Sequence, residues 1–145
     1  MLFGNDRSRM RRYFRTVWRK QTAGQPLEPL ERVIAGVIGQ HPEYHELLME
    51  RETALEQDYF PDGGETNPFL HMGMHIAIQE QLTSDRPAGI IEIYRLLCQR
   101  LGDGHAAEHQ MLECLGETLW EAQRNGAPPD EARYLSRLGR LVSRD

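Results

Sequence analysis

The sequence predicts an all-α fold, a single-domain helical bundle of about six to seven helices. Apolar residues recur at helical spacing along most of the chain, and prolines, glycines and capping residues separate the periodic segments. With 145 residues and 39% hydrophobic content, the chain is long enough to bury a core without disulfides. We therefore expect residues 1–145 to form one all-helical domain.

The first part of the chain predicts three helices. A basic amphipathic helix covers about residues 5–21, with Asn5 as its N-cap. The second runs from Pro29 to Gly39, since proline suits a first helical turn. The third begins at Pro42 and runs to about residue 57, because a residue before proline is pushed out of the α region. A loop with proline and paired glycines follows at 58–66.

The second part predicts four more helices, bounded by capping residues. The fourth begins at Asn67-Pro68, and its nearly uniform apolar character is typical of a buried central helix. The fifth and sixth are expected to be neighbours, because the connection between them is short. The predicted boundaries are Asp85 and Gly102 for the fifth helix, Asp103 and Asn125-Gly126 for the sixth, and Pro128-Pro129 before the last.

Charge is distributed unevenly along the chain. The formal net charge is −5, yet residues 1–20 contain seven basic side chains and one acidic one. A basic first helix with a polar back predicts a solvated face or a contact with a second copy of the chain, which would be a homodimer. Nucleic acid is disfavoured as a partner, since no paired reading element accompanies the basic helix.

The expected location is the cytoplasm. The apolar runs are too short for a bilayer span, so no membrane is expected as a partner. The N-terminal segment lacks the apolar region of a secretory signal. Cys98 and Cys114 fall inside apolar helical patterns, where cysteine behaves as a small buried hydrophobe.

All six histidines fall into three H-x-x-x-H pairs, HPEYH, HMGMH and HAAEH. Random placement would give only about 0.2 such pairs. Residues four apart are neighbours on a helix face, so two imidazoles can converge on one ion. The pairs are His41/His45, His71/His75 and His105/His109.

This spacing predicts a metal site. We expect His71, His75, His105 and His109 as ligands, because they lie on the fourth and sixth helices. His45 and Glu113 are further candidates, and His41 is the weakest because Pro42 removes it from helical spacing. Such a set suits zinc, iron, copper or nickel and disfavours calcium and magnesium.

Known catalytic motifs give little support for a particular reaction. HAAEH matches the inverted zincin pattern H-x-x-E-H, but one short match is weak. No histidine follows a glutamate by three residues, which disfavours ferritin-like di-iron sites. The likeness to hemerythrin-like bundles is architectural only. Phosphate-binding and dinucleotide motifs are absent, and no small-molecule substrate is indicated.

Two functions follow as alternatives. The first is a metal-binding helical bundle, in which an open coordination position would permit redox or hydrolytic chemistry through bound water. The second is a non-enzymatic homodimeric interaction protein, whose buried histidines satisfy one another and nearby acceptors through hydrogen bonds. The sequence leaves open whether any reaction is catalysed.

Several segments resemble one bacterial family, the domains of unknown function numbered 1841. They include RRYFRTVWRK, LEPLE, HPEYH, GETNPFLHMGMHIAIQEQ, HAAEHQMLECLGETLWEAQR and YLSRL. The resemblance implies a bacterial cytoplasmic protein of one short domain, and it supplies no mechanism. It also implies that all six histidines correspond to the family's histidine segments.

Overall fold

The computed structural model describes residues 7–50 and 67–143. These residues contain seven α-helices and no strand, which confirms the all-α class and the predicted number of helices. The helices are α1 (Arg7–Thr22), α2 (Pro29–Gly39), α3 (His45–Glu50), α4 (Pro68–Ser84), α5 (Ile90–Leu101), α6 (Gly104–Asn125) and α7 (Glu131–Ser143), with a 3₁₀ turn at Pro42–Tyr44 before α3.

The helices fall into two compact units, one extending to Ile76 and the other starting at Ala77, so that the division lies within α4. Each unit has its own packed helices. The prediction that residues 1–145 form one domain stays a prediction. The expected N-cap at Asn5, the end of the third helix and the loop at 58–66 lie outside the described residues.

The core of the first unit is built from α1, α2, α3 and the start of α4. The rings of Phe14 and Phe69 lie 6.4 Å apart between their centroids, joining α1 to α4. Each helix contributes the apolar face that its sequence pattern predicts. The fully or almost fully buried apolar side chains are Phe14, Val17, Ile34, Ala35, Val37, Ile38, Leu48, Phe69, Met72 and Ile76.

Two arginines of the basic helix are buried, which differs from the solvated face predicted for α1. The guanidinium of Arg11 lies over the ring of Phe69, 4.6 Å from its centroid, and Arg15 Nε donates to the Leu48 carbonyl. A long aliphatic stem and a flat cation allow arginine to pack on apolar and aromatic surface. Part of the basic charge therefore belongs to the interior of the first unit.

The start of α2 is fixed by Glu31. Its carboxylate accepts from the Glu28 backbone N–H at 2.9 Å and from Lys20 Nζ at 2.9 Å. The hydrogen bond from Glu28, followed by the one from Lys20, holds the pKa of Glu31 below its ordinary value. This carboxylate links α2 to the end of α1.

In the second unit α5, α6 and α7 pack pairwise, as the short connection between α5 and α6 predicts. Asp103 caps α6 by accepting from the His105 backbone N–H at 3.0 Å. Gly102 and Gly126 end their helices in the left-handed region, at φ of 72° and 62°. The hydroxyl of Tyr134 on α7 donates to Gln81 Oε1 at 2.8 Å.

The start of α5 differs in detail from the prediction. Asp85 was expected as the adjacent cap, but the helix begins at Ile90 after Gly89, which has φ of 99°. The carboxylate of Asp85 still accepts from the backbone N–H groups of Gly89 and Ile91, at 3.2 and 3.1 Å. It therefore caps the first turn from across a short loop.

Cys114 is buried and Cys98 half-buried, in line with their apolar helical positions. None of the helices in the described ranges combines the length and the hydropathy that a bilayer span needs.

Candidate metal centre

His41 lies directly beyond the C-terminal end of α2, where its ring is held by that helix. Its Nδ1 lies 2.8 Å from the Val37 carbonyl oxygen. Because a carbonyl can only accept, Nδ1 is the nitrogen that donates in this hydrogen bond. The residue is 4% exposed. Pro42 starts the 3₁₀ turn immediately after it.

His71 and His75 occupy successive turns of α4. The helix begins next to Asn67, whose side-chain oxygen accepts from the backbone N–H groups of Phe69 and Leu70, both at 3.1 Å. The two imidazole centroids are 4.8 Å apart and the rings are nearly perpendicular, at 80°. His75 is fully buried and His71 half-buried. The predicted HMGMH pair is thus on one helix face.

The structure brings His41 together with His71 and His75. The His41 ring centroid is 5.1 Å from that of His71 and 4.9 Å from that of His75. The ligand nitrogens of the three lie within 4.8 Å of one another. Two imidazoles on one tetrahedral zinc, with Zn–N of about 2.0–2.1 Å, have ring centroids about 5 Å apart and nitrogens about 3.3 Å apart. The ring centroids of the three histidines therefore have the spacing of imidazoles that share one ion.

The electrostatic setting of this cluster suits a cation. The last carbonyls of a helix form the negative end of its dipole, and His41 is bonded to one of these carbonyls on α2. Met72 and Ile76, which directly follow His71 and His75 along α4, are fully buried and apolar. Imidazole ligands near a helix C-terminus can hold a transition-metal ion.

Residues 6–140 match the protein family described as Domain of unknown function (DUF1841). The chain belongs to this family. The match covers nearly the whole sequence and confirms the resemblance drawn from the histidine-containing segments. No curated protein and no solved structure matches the chain.

His45 of this DUF1841 chain has a different environment from His41. Its Nε2 donates to the Ile38 carbonyl at 2.7 Å, and its ring centroid lies 4.4 Å from that of Trp18. The HPEYH segment thus places two histidines on two successive carbonyls of α2. The hydrogen bond of His45 serves to close the end of that helix. Its predicted role as a ligand stays a prediction.

His105 and His109 belong to the second unit, on α6. Both are exposed, and their ring centroids are 4.5 Å apart at 46°. Glu113, one turn further on, is exposed as well. The pair has the helical proximity that its spacing predicts. Its role in metal binding, and that of Glu113, stay predictions.

The sequence ranked His41 last among the ligands, whereas the structure places it among the buried histidines. Helical spacing cannot find it, because Pro42 separates its backbone from α3. The position of His41 just after the predicted end of α2 could have indicated its role, since a histidine beyond a helix end can donate to the last carbonyls of that helix. Such a bond fixes the ring and orients the other nitrogen.

Tyr44 borders the cluster. Its ring is stacked on that of His41, with centroids 5.6 Å apart and planes 10° apart. The same ring meets His71 nearly edge-on, with centroids 6.5 Å apart and planes at 74°. Burial, with a smaller contribution from Glu43, raises the pKa of the Tyr44 phenol.

Proposed function

We propose that this chain is a metal-binding protein in which His41, His71 and His75 hold a divalent transition metal. The observation that carries the proposal is the spacing of the three imidazole rings, with centroids 4.8, 4.9 and 5.1 Å apart. Three rings at this spacing are what ligation of one ion requires. Zinc, iron, copper and nickel are the metals that imidazole ligands suit.

The hydrogen bond of His41 supports the proposal further. A metal-bound histidine characteristically donates its second ring N–H to a carboxylate or a backbone carbonyl, which fixes the ring and raises the basicity of the ligand. His41 makes this bond with Val37. The bond leaves Nε2 directed away from α2 as the donor atom.

The proposal extends to chemistry only where the metal keeps an open position. Three protein ligands plus water are typical of catalytic zinc sites, and four protein ligands are typical of structural ones. The sequence predicts His45, His105, His109 and Glu113 as further ligands, so whether any of them contributes decides between these two classes. A site with bound water would activate that water for hydrolysis or support redox chemistry with iron or copper.

Metal content is the direct test. Untagged protein, purified without added metal, is analysed by elemental mass spectrometry beside His75→Ala and the matched control Thr83→Ala, an exposed position near the end of the same helix. We expect near-stoichiometric zinc, iron, copper or nickel in the wild type and in the control, and loss of the metal from His75→Ala. Retention of metal by His75→Ala would refute the assignment.

Further variants test the remaining ligand predictions of the sequence, namely His45→Ala, His105→Ala, His109→Ala and Glu113→Ala. Loss of metal would make the substituted residue a ligand, whereas retention in all four variants would leave a site of three histidines. If the wild type contains no metal and takes up none in titration, the homodimeric interaction protein is favoured instead. A mass that rises with protein concentration in analytical ultracentrifugation would support that alternative.

A further inference from the structure

Tyr44 lies between the two histidines of HPEYH and contacts two of the three proposed ligands. Its ring lies parallel to that of His41 in an offset stack, with centroids 5.6 Å apart, and meets His71 edge-on at 6.5 Å. Tyr44 is not one of the proposed ligands, so the metal-binding proposal assigns no role to its ring.

We propose that Tyr44 is a positioning residue for the metal site, whose aromatic ring holds the imidazoles of His41 and His71 in the orientation that ligation needs. This inference rests on the proposed metal-binding function. The contact fixes ring planes rather than supplying a donor atom. Offset-stacked and edge-to-face pairs are the preferred arrangements of aromatic rings, so each contact restricts rotation of an imidazole.

The backbone around Tyr44 is constrained in the same sense. The Tyr44 N–H donates to the His41 carbonyl at 3.0 Å, which closes the 3₁₀ turn. Pro42, inside the turn, restricts the backbone between the two residues. The short 3₁₀ turn therefore places the Tyr44 ring beside the His41 ring.

A hydrogen bond and a ring contact then fix the His41 side chain. The Val37 carbonyl holds Nδ1, and the Tyr44 ring holds the plane of the imidazole. One hydrogen bond alone permits rotation about its axis, and a stacked ring removes that freedom. Removing a hydrogen-bonded outer partner of a metal ligand lowers metal affinity about 10- to 100-fold, and two aromatic contacts together are of comparable strength. We expect a loss in this range when the ring of Tyr44 is removed.

The test compares Tyr44→Phe, which keeps the ring, with Tyr44→Leu, which removes it. Tyr94→Leu is the matched control, because Tyr94 is a half-buried tyrosine on α5 in the second unit. Zinc affinity is measured by competition with a chromophoric chelator, and the absorption of bound cobalt(II) reports ligand geometry. Circular dichroism verifies that each variant is folded, and Tyr44→Gln is measured as a second ring-free variant.

We expect zinc affinity within about twofold of the wild type for Tyr44→Phe and Tyr94→Leu, and a 10- to 100-fold loss with a changed cobalt spectrum for both ring-free variants. Wild-type affinity and an unchanged cobalt spectrum in Tyr44→Leu or Tyr44→Gln would overturn the positioning role while the metal site stands. An equal loss in Tyr44→Phe would also overturn it, since the hydroxyl would then be responsible. Absence of zinc binding in the wild type would overturn the metal site itself.

Discussion

Zinc should stabilise the folded chain against heat, because the three proposed ligands come together only in the native first unit. His41 follows α2, whereas His71 and His75 lie on α4, so an unfolded chain does not present the three nitrogens together. A ligand that binds only the native state adds about 2.7 kcal/mol at a free concentration 100 times its Kd. For a chain of 145 residues, each kcal/mol shifts Tm by about 2–4 °C. We expect Tm to rise by about 5–11 °C.

The assay is thermal unfolding followed by circular dichroism, with metal-free protein, with buffered free zinc at 100 times the measured Kd, and after addition of chelator. His71→Ala combined with His75→Ala serves as the variant, and Thr83→Ala, at an exposed position of the same helix, as the matched control. The rise should appear in the wild type and the control, vanish in the double variant, and reverse with chelator. An equal rise in wild type and double variant would refute ligation by the α4 pair.

Three further predictions concern the described residues outside the cluster. Phe14→Ala should lower the free energy of unfolding by about 3–5 kcal/mol in urea titration, since a fully buried ring leaves a cavity; a loss below 1 kcal/mol would contradict this packing. The pKa of Glu31 is lowered in the folded state, so its carboxylate stabilises the fold fully above about pH 4.3. This contribution to the free energy of unfolding is lost as pH falls through the folded pKa. Glu31→Gln should therefore flatten the acid side of the stability profile, and an unchanged slope would argue against the hydrogen bond to Glu28. Asp103→Ala should cost about 1 kcal/mol by removing the cap of α6, measured by thermal unfolding, with Asp103→Asn as the control that keeps an acceptor.

The sequence predicted the helices best where local chemistry sets their ends. α2 has the predicted bounds of Pro29 and Gly39, and α4 begins at the predicted Asn-Pro step. Proline and asparagine act through the backbone of their own neighbours, so tertiary contacts do not alter their effect. The start of α5 lies at Ile90, further along the chain than the predicted cap at Asp85 indicates. The Asp85 side chain caps the helix from across a short loop that the sequence pattern does not reveal.

The histidine pairs were predicted from spacing, and spacing reports only neighbours on one helix. It identified His71 and His75 as a pair, and the structure places them one turn apart with adjacent rings. It could not indicate that the turn after α2 brings His41 to α4, since that depends on how helices distant in sequence pack. The burial of Arg11 was missed for the same reason, because its aromatic partner Phe69 belongs to another helix.

The end of α2 makes the two histidines of HPEYH chemically unlike each other. Hydrogen bonds to the carbonyls of Val37 and Ile38 make Nδ1 the donating nitrogen of His41 and Nε2 the donating nitrogen of His45. Two identical side chains, four residues apart, therefore use opposite ring nitrogens on neighbouring carbonyls of one helix. Nitrogen-15 spectra of the imidazoles would separate the pair into two distinct patterns.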